Sequence, residues 1–315
     1  MQALKASIIK QIETAGGRHD EPKIYSGTPG DIGLAGGPGS ISWEINGDFS
    51  SVAVAGLSAI LMEVLHPSVM DGVFTQSAYR TNPLGRARNT LGYVLRTTFG
   101  TTEAATQIIG QVKLVHSRIN GTRGDGVSYR ALEPELIAWV HTCIPWAIMK
   151  AFERYNRPLS LSEKDRYLAE QAVIGRLGGA DWVPESVAEL DDYIEQMRPL
   201  MAFNDQTRQF TDFLLGTSGD VDTTRYQRFD AWMSMQGSMA LMPDWARKMT
   251  GTYHSEFVDR LSFKQNEKFK AKLLRWALPV LPCKTLALER ANSEPAVSRQ
   301  PTDRAEQSSG AVFSG

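Results

Sequence analysis

This sequence predicts an all-α fold in one large domain. Three observations carry that reading. Apolar residues recur at the three- and four-residue spacing of a helix face from residue 50 to about residue 275. Strand-type alternation is sparse. The helical runs are bounded by cap and proline signals. At 315 residues and 42% hydrophobic, the chain is long enough for a sizeable core.

The elements follow in order. Residues 1–14 suggest a short helix, and residues 15–40, "AGGRHDEPKIYSGTPGDIGLAGGPGS", are turn-rich. The glycines there invite a phosphate-loop reading, but no Walker lysine follows and no strand plainly precedes them. "ISWEI" at 41–45 reads as a short strand or as a loop anchored by Trp43. "TTEAATQIIGQVKLVHSRI" repeats apolar residues at 105, 108, 109, 112, 115 and 119, with Thr102 and Glu103 marking the start. "EPELIAWVHTCIPWAIMKAFERY" does so at 137, 140, 144, 148, 152 and 155, with Pro134 at the first helical position. Further helices are predicted at 161–177, 185–200, 204–216, 224–239, 242–249 and 254–275, two of them started by Ser162 with Asp165 and by Pro184, Ser186 and Glu189. The polar, Pro- and Ser-rich tail from 291 is expected to be disordered. The organisation is thus a lead-in at 1–40, a helical domain at 41–290 and a tail at 291–315.

Bulk properties exclude some functions. A net charge of −1 argues against non-specific nucleic-acid binding, which leans on excess Lys and Arg. Cys143 and Cys283 form no CxxC pattern and read as buried free thiols, as suits a reducing compartment. No segment reaches ~18 uninterrupted apolar residues. The nearest, 50–73, is interrupted by Glu63, His66 and Asp71. With no signal-peptide run at the N-terminus, a soluble cytoplasmic protein is the expectation. HExxH and GxSxG are both absent.

Four segments place polar groups in apolar or glycine-marked surroundings. His66 precedes Pro67, which disfavours the α region before it, so His66 belongs at a helix end or kink. "YRTNPLGRARNTLGYVLRTTFGTT" at 79–102 supplies Arg86 and Thr90, four apart and on one helix face. They are either a solvated helix end or a cation and hydroxyl facing an anionic ligand. His116 lies four residues after Val112 and seven after Ile109, at the border of the apolar stripe. It is either a core histidine or a metal ligand. His141 stands four residues before Pro145, which leaves the His141 carbonyl without its helical donor. A non-haem iron triad would need His66, His116 and Glu63 or Asp71 to converge.

In order, "LHPSVMDGVFTQSAYRTNPLGRARNT" (65–90), "LVHSRINGT" (114–122), "DGVSYRALEPELIAWVHTCI" (125–144), "LSEKDRYLAEQAVIGRLGG" and "VPESVAELDDYIEQM" resemble the MpaB oxygenase family, which includes the latex-clearing proteins. The resemblance spans roughly 40–285. It implies a globin-like helical core holding a b-type haem, with His116 matching the proximal ligand of an LxHxxxR-like helix. It implies that Arg86 and Thr90 steer bound oxygen or substrate. Asn89 stands where latex-clearing members have a lysine that contacts iron, which leaves the sixth position open and weakens a transfer of polyisoprene as substrate. Lys113 and Arg118 are candidates for the haem propionates, or else solvated. His66 and His141 fall to pocket structure, and Asp71 is a loose counterpart of the family's general-base glutamate. The implied function is haem-dependent oxidation of a small, apolar organic substrate with dioxygen. Haem-linked dehydrogenation, a non-catalytic haem or gas-binding module and a non-haem iron protein stay open.

Overall fold

The computed structural model describes residues 2, 5, 22–214 and 225–294, the side chains of 225–231 excepted. The helix expected at 1–14 therefore lies outside the described residues, apart from Gln2 and Lys5. So does the tail from 295 onward.

The described residues are helical almost throughout. Its helices are α1 Lys23–Ser26, α2 Ile41–Ile45, α3 Phe49–Glu63, α4 Pro67–Gln76, α5 Pro83–Phe99 and α6 Thr102–His116. A two-stranded hairpin, β1 Asn120–Thr122 and β2 Ser128–Arg130, comes next. Then follow α7 Pro134–Tyr155, α8 Leu161–Gly178, α9 Val187–Met197, α10 Asp205–Leu214, α11 Arg225–Met239 and α12 Asp244–Met249. One turn at Glu256–Val258 and a π-helical turn at Asp259–Phe263 lead into α13 Lys264–Ala277, and α14 Pro282–Asn292 closes the described chain. Sequence reading missed the antiparallel hairpin and α14. It also placed the tail boundary two residues early, since α14 runs to Asn292.

The centre is the pair α3 and α7. Small residues let them approach: Ala55 and Ala59 on α3, Ala147 and Ala151 on α7, all in one buried cluster with Trp139, Trp146 and Phe152. Fully burying a large apolar side chain contributes about 1.5–3 kcal/mol, so this layer dominates stability. Around it, α8 packs on α7, α11 and α13 lean on α3, and α6 packs against α5 and α8.

Local chemistry explains the boundaries. "ISWEI" is neither strand nor loop but a short helix. The Ser40 hydroxyl accepts from the Trp43 N–H, and the Glu170 carboxylate accepts from the N–H groups of Ile41 and Ser42. Three anchored donors at a helix start override the β preference of Ile and Trp. Trp43 is buried edge-on against Phe99. The start of α8 is a Ser160–Glu163 capping box, not Ser162 with Asp165. Asp165 instead receives the Val187 N–H at the start of α9, where Ser186 caps as expected. Thr101, not Thr102, caps α6, while Thr102 donates to Asp31. The lead-in is pinned by buried Arg290 of α14, which donates to the carbonyls of Tyr25, Asp31 and Phe99. Gly33 (φ 71°) shows why glycine is needed there: a Cβ would sit 2.5 Å from the Gly100 carbonyl oxygen.

The apolar run 50–73 folds as two helices, α3 and α4, bent by 108° at the break around His66. Among the described residues no single helix is long and apolar enough to cross a membrane.

Candidate functional site

Three helices bring polar side chains to one place. On α6, Ala105, Ile109, Val112 and His116 share a face, but burial declines along it. Ala105 and Ile109 are buried, Val112 and His116 half-buried, and neighbouring Leu114 and Val115 exposed. His116 is the last residue of the helix. Burial holds its imidazole below the ordinary histidine pKa, so it is neutral near pH 7. It makes no side-chain hydrogen bond among the described residues.

His141 on α7 faces it closely enough for their charges to interact. Burial, and next the His116 charge, push His141 down to about 4. Its ring has room because α8 offers two glycines: a Cβ on Gly178 would come within 2.8 Å of His141 Nε2, and one on Gly175 within 3.2 Å of His141 Cβ. Tyr93 on α5 meets the His141 ring edge-on at 6.0 Å. The Tyr93 hydroxyl is buried without a hydrogen-bond partner, and burial raises its pKa. A cavity of about 10 Å³, water-sized, lies on another side of His141, between Pro145, Leu168 and Val183.

A second group lies at the end of α3. Glu63 is buried there, and burial pushes its carboxyl up to about 7 against the opposing pull of Arg86. Arg86, half-buried, donates to Ser77 Oγ at 2.9 Å, and burial lowers its pKa. The Cys143 thiol, raised by burial and then by the Glu63 charge, is close by on α7.

The other sequence-derived residues lie elsewhere. His66 caps α4, its Nδ1 accepting the Ser68 N–H at 3.3 Å, with Arg123 nearby. Asn89 is exposed, as is Thr90, whose hydroxyl donates to the Arg86 carbonyl one turn back. Lys113 donates to the Leu177 carbonyl at the end of α8, and Arg118 is exposed. Asp71 is held by the Tyr129 hydroxyl at 2.8 Å and by Gln206 Nε2 at 3.0 Å, a structural tie between hairpin, α4 and α10. Among the described residues no three of His, Cys, Asp or Glu converge as metal ligands, so His66, His116 and Glu63 or Asp71 do not form a triad.

Sequence reading did not single out Tyr93, and it gave Glu63 no role beyond the iron triad. Both left a signal. Tyr93 is seven residues after Arg86, on the same helix face. Glu63 is the one carboxylate of α3, a helix with most of its residues buried.

A family model described as "ER-bound oxygenase mpaB/B'/Rubber oxygenase, catalytic domain" matches residues 43–276. The chain belongs to this family. The mpaB/rubber oxygenase domain thus runs from Trp43 in α2 to Trp276 in α13. It contains the whole cluster around His116 and His141 and omits α14. Uncharacterized proteins of Mycobacterium bovis and Mycobacterium tuberculosis are each 28% identical over 141 residues, covering 42% of this chain and 55% of theirs. The chain spans about half the length of the curated relatives it matches. No solved structure matches it.

Proposed function

We propose that this mpaB/rubber oxygenase domain binds a b-type haem through His116 and oxidises a small, apolar organic substrate with dioxygen. The observation that carries the reading is the pair His116 and His141: two neutral imidazoles on different helices, with no side-chain hydrogen bond among the described residues. A neutral, unbonded imidazole is the form that ligates iron. Val112, half-buried one turn before His116 on the same helix face, gives a macrocycle apolar contact beside the imidazole. The donor set therefore fits the group.

Haem, when bound, supplies the one-electron and dioxygen chemistry that amino-acid side chains lack. The chain supplies the rest. His116 holds the iron. His141, fixed in its glycine cradle, is a second imidazole within reach of the same space. The Tyr93 hydroxyl is a free donor in buried surroundings. Glu63 can hold or release a proton at its carboxyl near pH 7, the range in which general acid–base groups work best. Arg86 keeps a positive charge beside it. Arg118, exposed two residues past His116, is the cation we assign to a propionate, whereas Lys113 is engaged by the Leu177 carbonyl.

A second reading has its own observation. Asn89 and Thr90 are exposed, and the Thr90 hydroxyl is turned to its own helix. This favours a haem or gas-binding module without turnover. Absorption spectroscopy tests the shared premise: the purified protein, or protein incubated with haemin, shows a Soret band. A preparation that stays colourless removes both readings. Oxygen uptake with candidate apolar substrates then separates enzyme from binding module.

A further inference from the structure

The helical run from Glu256 to Ala277 has two unlike sides. Its inner side is buried: Phe263, Glu267, Ala271 and Ala277 face the core, and Lys270 donates to Ser234 Oγ of α11. Its outer side carries Gln265, Phe269, Lys272 and Trp276, spaced four, three and four apart, so they share one face. Apolar residues stand out along it. Phe269 is 68% exposed and Trp276 40%, with Phe257 at 65% and Leu261 at 55% in the preceding turns and Val280 at 46% just beyond. Singly exposed apolar residues are ordinary, but five along one edge of ~30 Å form a patch that needs an occupant.

The charge beside the patch says which. The acids of the run are Glu256, Asp259 and Glu267: Glu256 is exposed at its start, Asp259 pairs with Arg154, and Glu267 faces inward. Arg275 is committed to Asp48 and Lys270 to Ser234, which leaves Arg260, Lys264, Lys268 and Lys272. The Lys264 ammonium is held below its usual pKa by burial and then by the positive charges of Arg154 and Lys268, so the cations are crowded. A second copy seated two-fold on this face would bring like charges together. A headgroup layer of phosphates and carboxylates relieves the crowding and accepts the aromatic rings.

We propose that this face docks on an anionic lipid surface. The helix lies in the headgroup plane, Phe269 and Trp276 enter the acyl boundary, and Lys264, Lys268 and Lys272 meet anionic headgroups. The docking is independent of haem and of turnover.

Co-sedimentation of the full chain with vesicles tests it, using phosphatidylcholine alone against an equal mixture with phosphatidylserine. Binding is expected to the mixed vesicles only and to weaken with salt. Lys268→Glu/Lys272→Glu is expected to lower partitioning by at least ~10-fold, because each basic residue near the surface contributes measurably. Phe269→Ser/Trp276→Ser is expected to do the same while keeping its helical circular dichroism. Quenching by brominated acyl chains is expected in the wild type and reduced in Trp276→Phe, a substitution too mild to unfold the chain. No binding to mixed vesicles, equal binding to both kinds, or unchanged binding by the charge-reversed protein would overturn the proposal. So would a concentration-dependent dimer in sedimentation velocity that Phe269→Ser dissociates, which would assign the face to a second copy.

Discussion

The Glu63 carboxyl and the Arg86 guanidinium sit within electrostatic reach of each other without a direct ion pair, one at the end of α3 and the other in the first turn of α5. Burial dominates both groups, so Glu63 rises to about 7 even with a cation beside it. The unfolded chain releases that proton near the usual 4.5. Between these values the folded state holds a proton that the unfolded state does not, so stability falls as pH rises through the window.

Glu63→Gln removes that dependence. Relative to the variant, the wild type is expected to lose roughly 2–3 kcal/mol between pH 4.5 and 7, and no more above it. Urea unfolding across this range measures the difference. Parallel curves for the two proteins would show that Glu63 ionises normally.

His66 is pushed down to about 4, first by burial and then by Arg123. Here the unfolded state binds the extra proton, so the contribution is intact above pH 6.5 and is lost as pH falls toward 4. His66→Asn keeps a cap on α4 and should flatten this acid dependence. His66→Ala should cost about 1 kcal/mol at neutral pH, as lost N-caps do. Thermal unfolding of both variants at two pH values distinguishes cap from charge.

Asp48 is tied by both carboxylate oxygens to Arg275, at 3.0 Å and 2.7 Å, linking α3 to α13. Burial alone would raise its pKa, yet the Arg275, Ser51 and Ser50 bonds together hold it below the usual value. Arg275→Ala leaves a buried carboxylate without its counter-ion and is expected to cost about 3 kcal/mol at neutral pH. The loss should shrink in acid, where Asp48 is protonated. A loss under 1 kcal/mol would class the pair with exposed surface bridges.

His116→Ala is expected to abolish the Soret band or its axial ligation, while His254→Ala keeps both. His254 is occupied by Gln236 Oε1 at 2.8 Å and by the Phe263 ring. A wild-type spectrum in His116→Ala, lost instead in His141→Ala, would move the ligand to α7.

Arg86→Ala is expected to retain haem and lower turnover by roughly 10²–10³, the usual loss of a preorganised donor in a dry site. Thr90→Val should change far less, since its hydroxyl is exposed and bonded to the Arg86 carbonyl. Steady-state oxygen uptake reports both.

Legibility followed the range of the forces involved. Helices announced by periodicity and nearby caps were readable: α6, α7, α9 and α13 lie where their apolar spacing, Pro134 and Ser186 put them. Caps were misassigned by one or two residues, as Ser160 for α8 and Thr101 for α6 show, and element types were misread where a distant residue decides a local choice. "ISWEI" is helical because Glu170, far along the chain, holds its first N–H groups. The hairpin is fastened from outside: Tyr129 reaches Asp71 on α4, and Gln76 donates to the Asn120 carbonyl.

The sequence by itself determined the helical class, the course of the main helices and the presence of histidines on apolar faces, because a 3.6-residue period is a property of neighbours in the chain. Only the tertiary structure decided which polar groups meet. It set His141 beside His116 and Tyr93, buried Glu63 near Arg86, and turned His66 and Asp71 to structural duties. Burial and opposing charge shift a side chain's protonation, and both depend on helices far apart in sequence packing side by side.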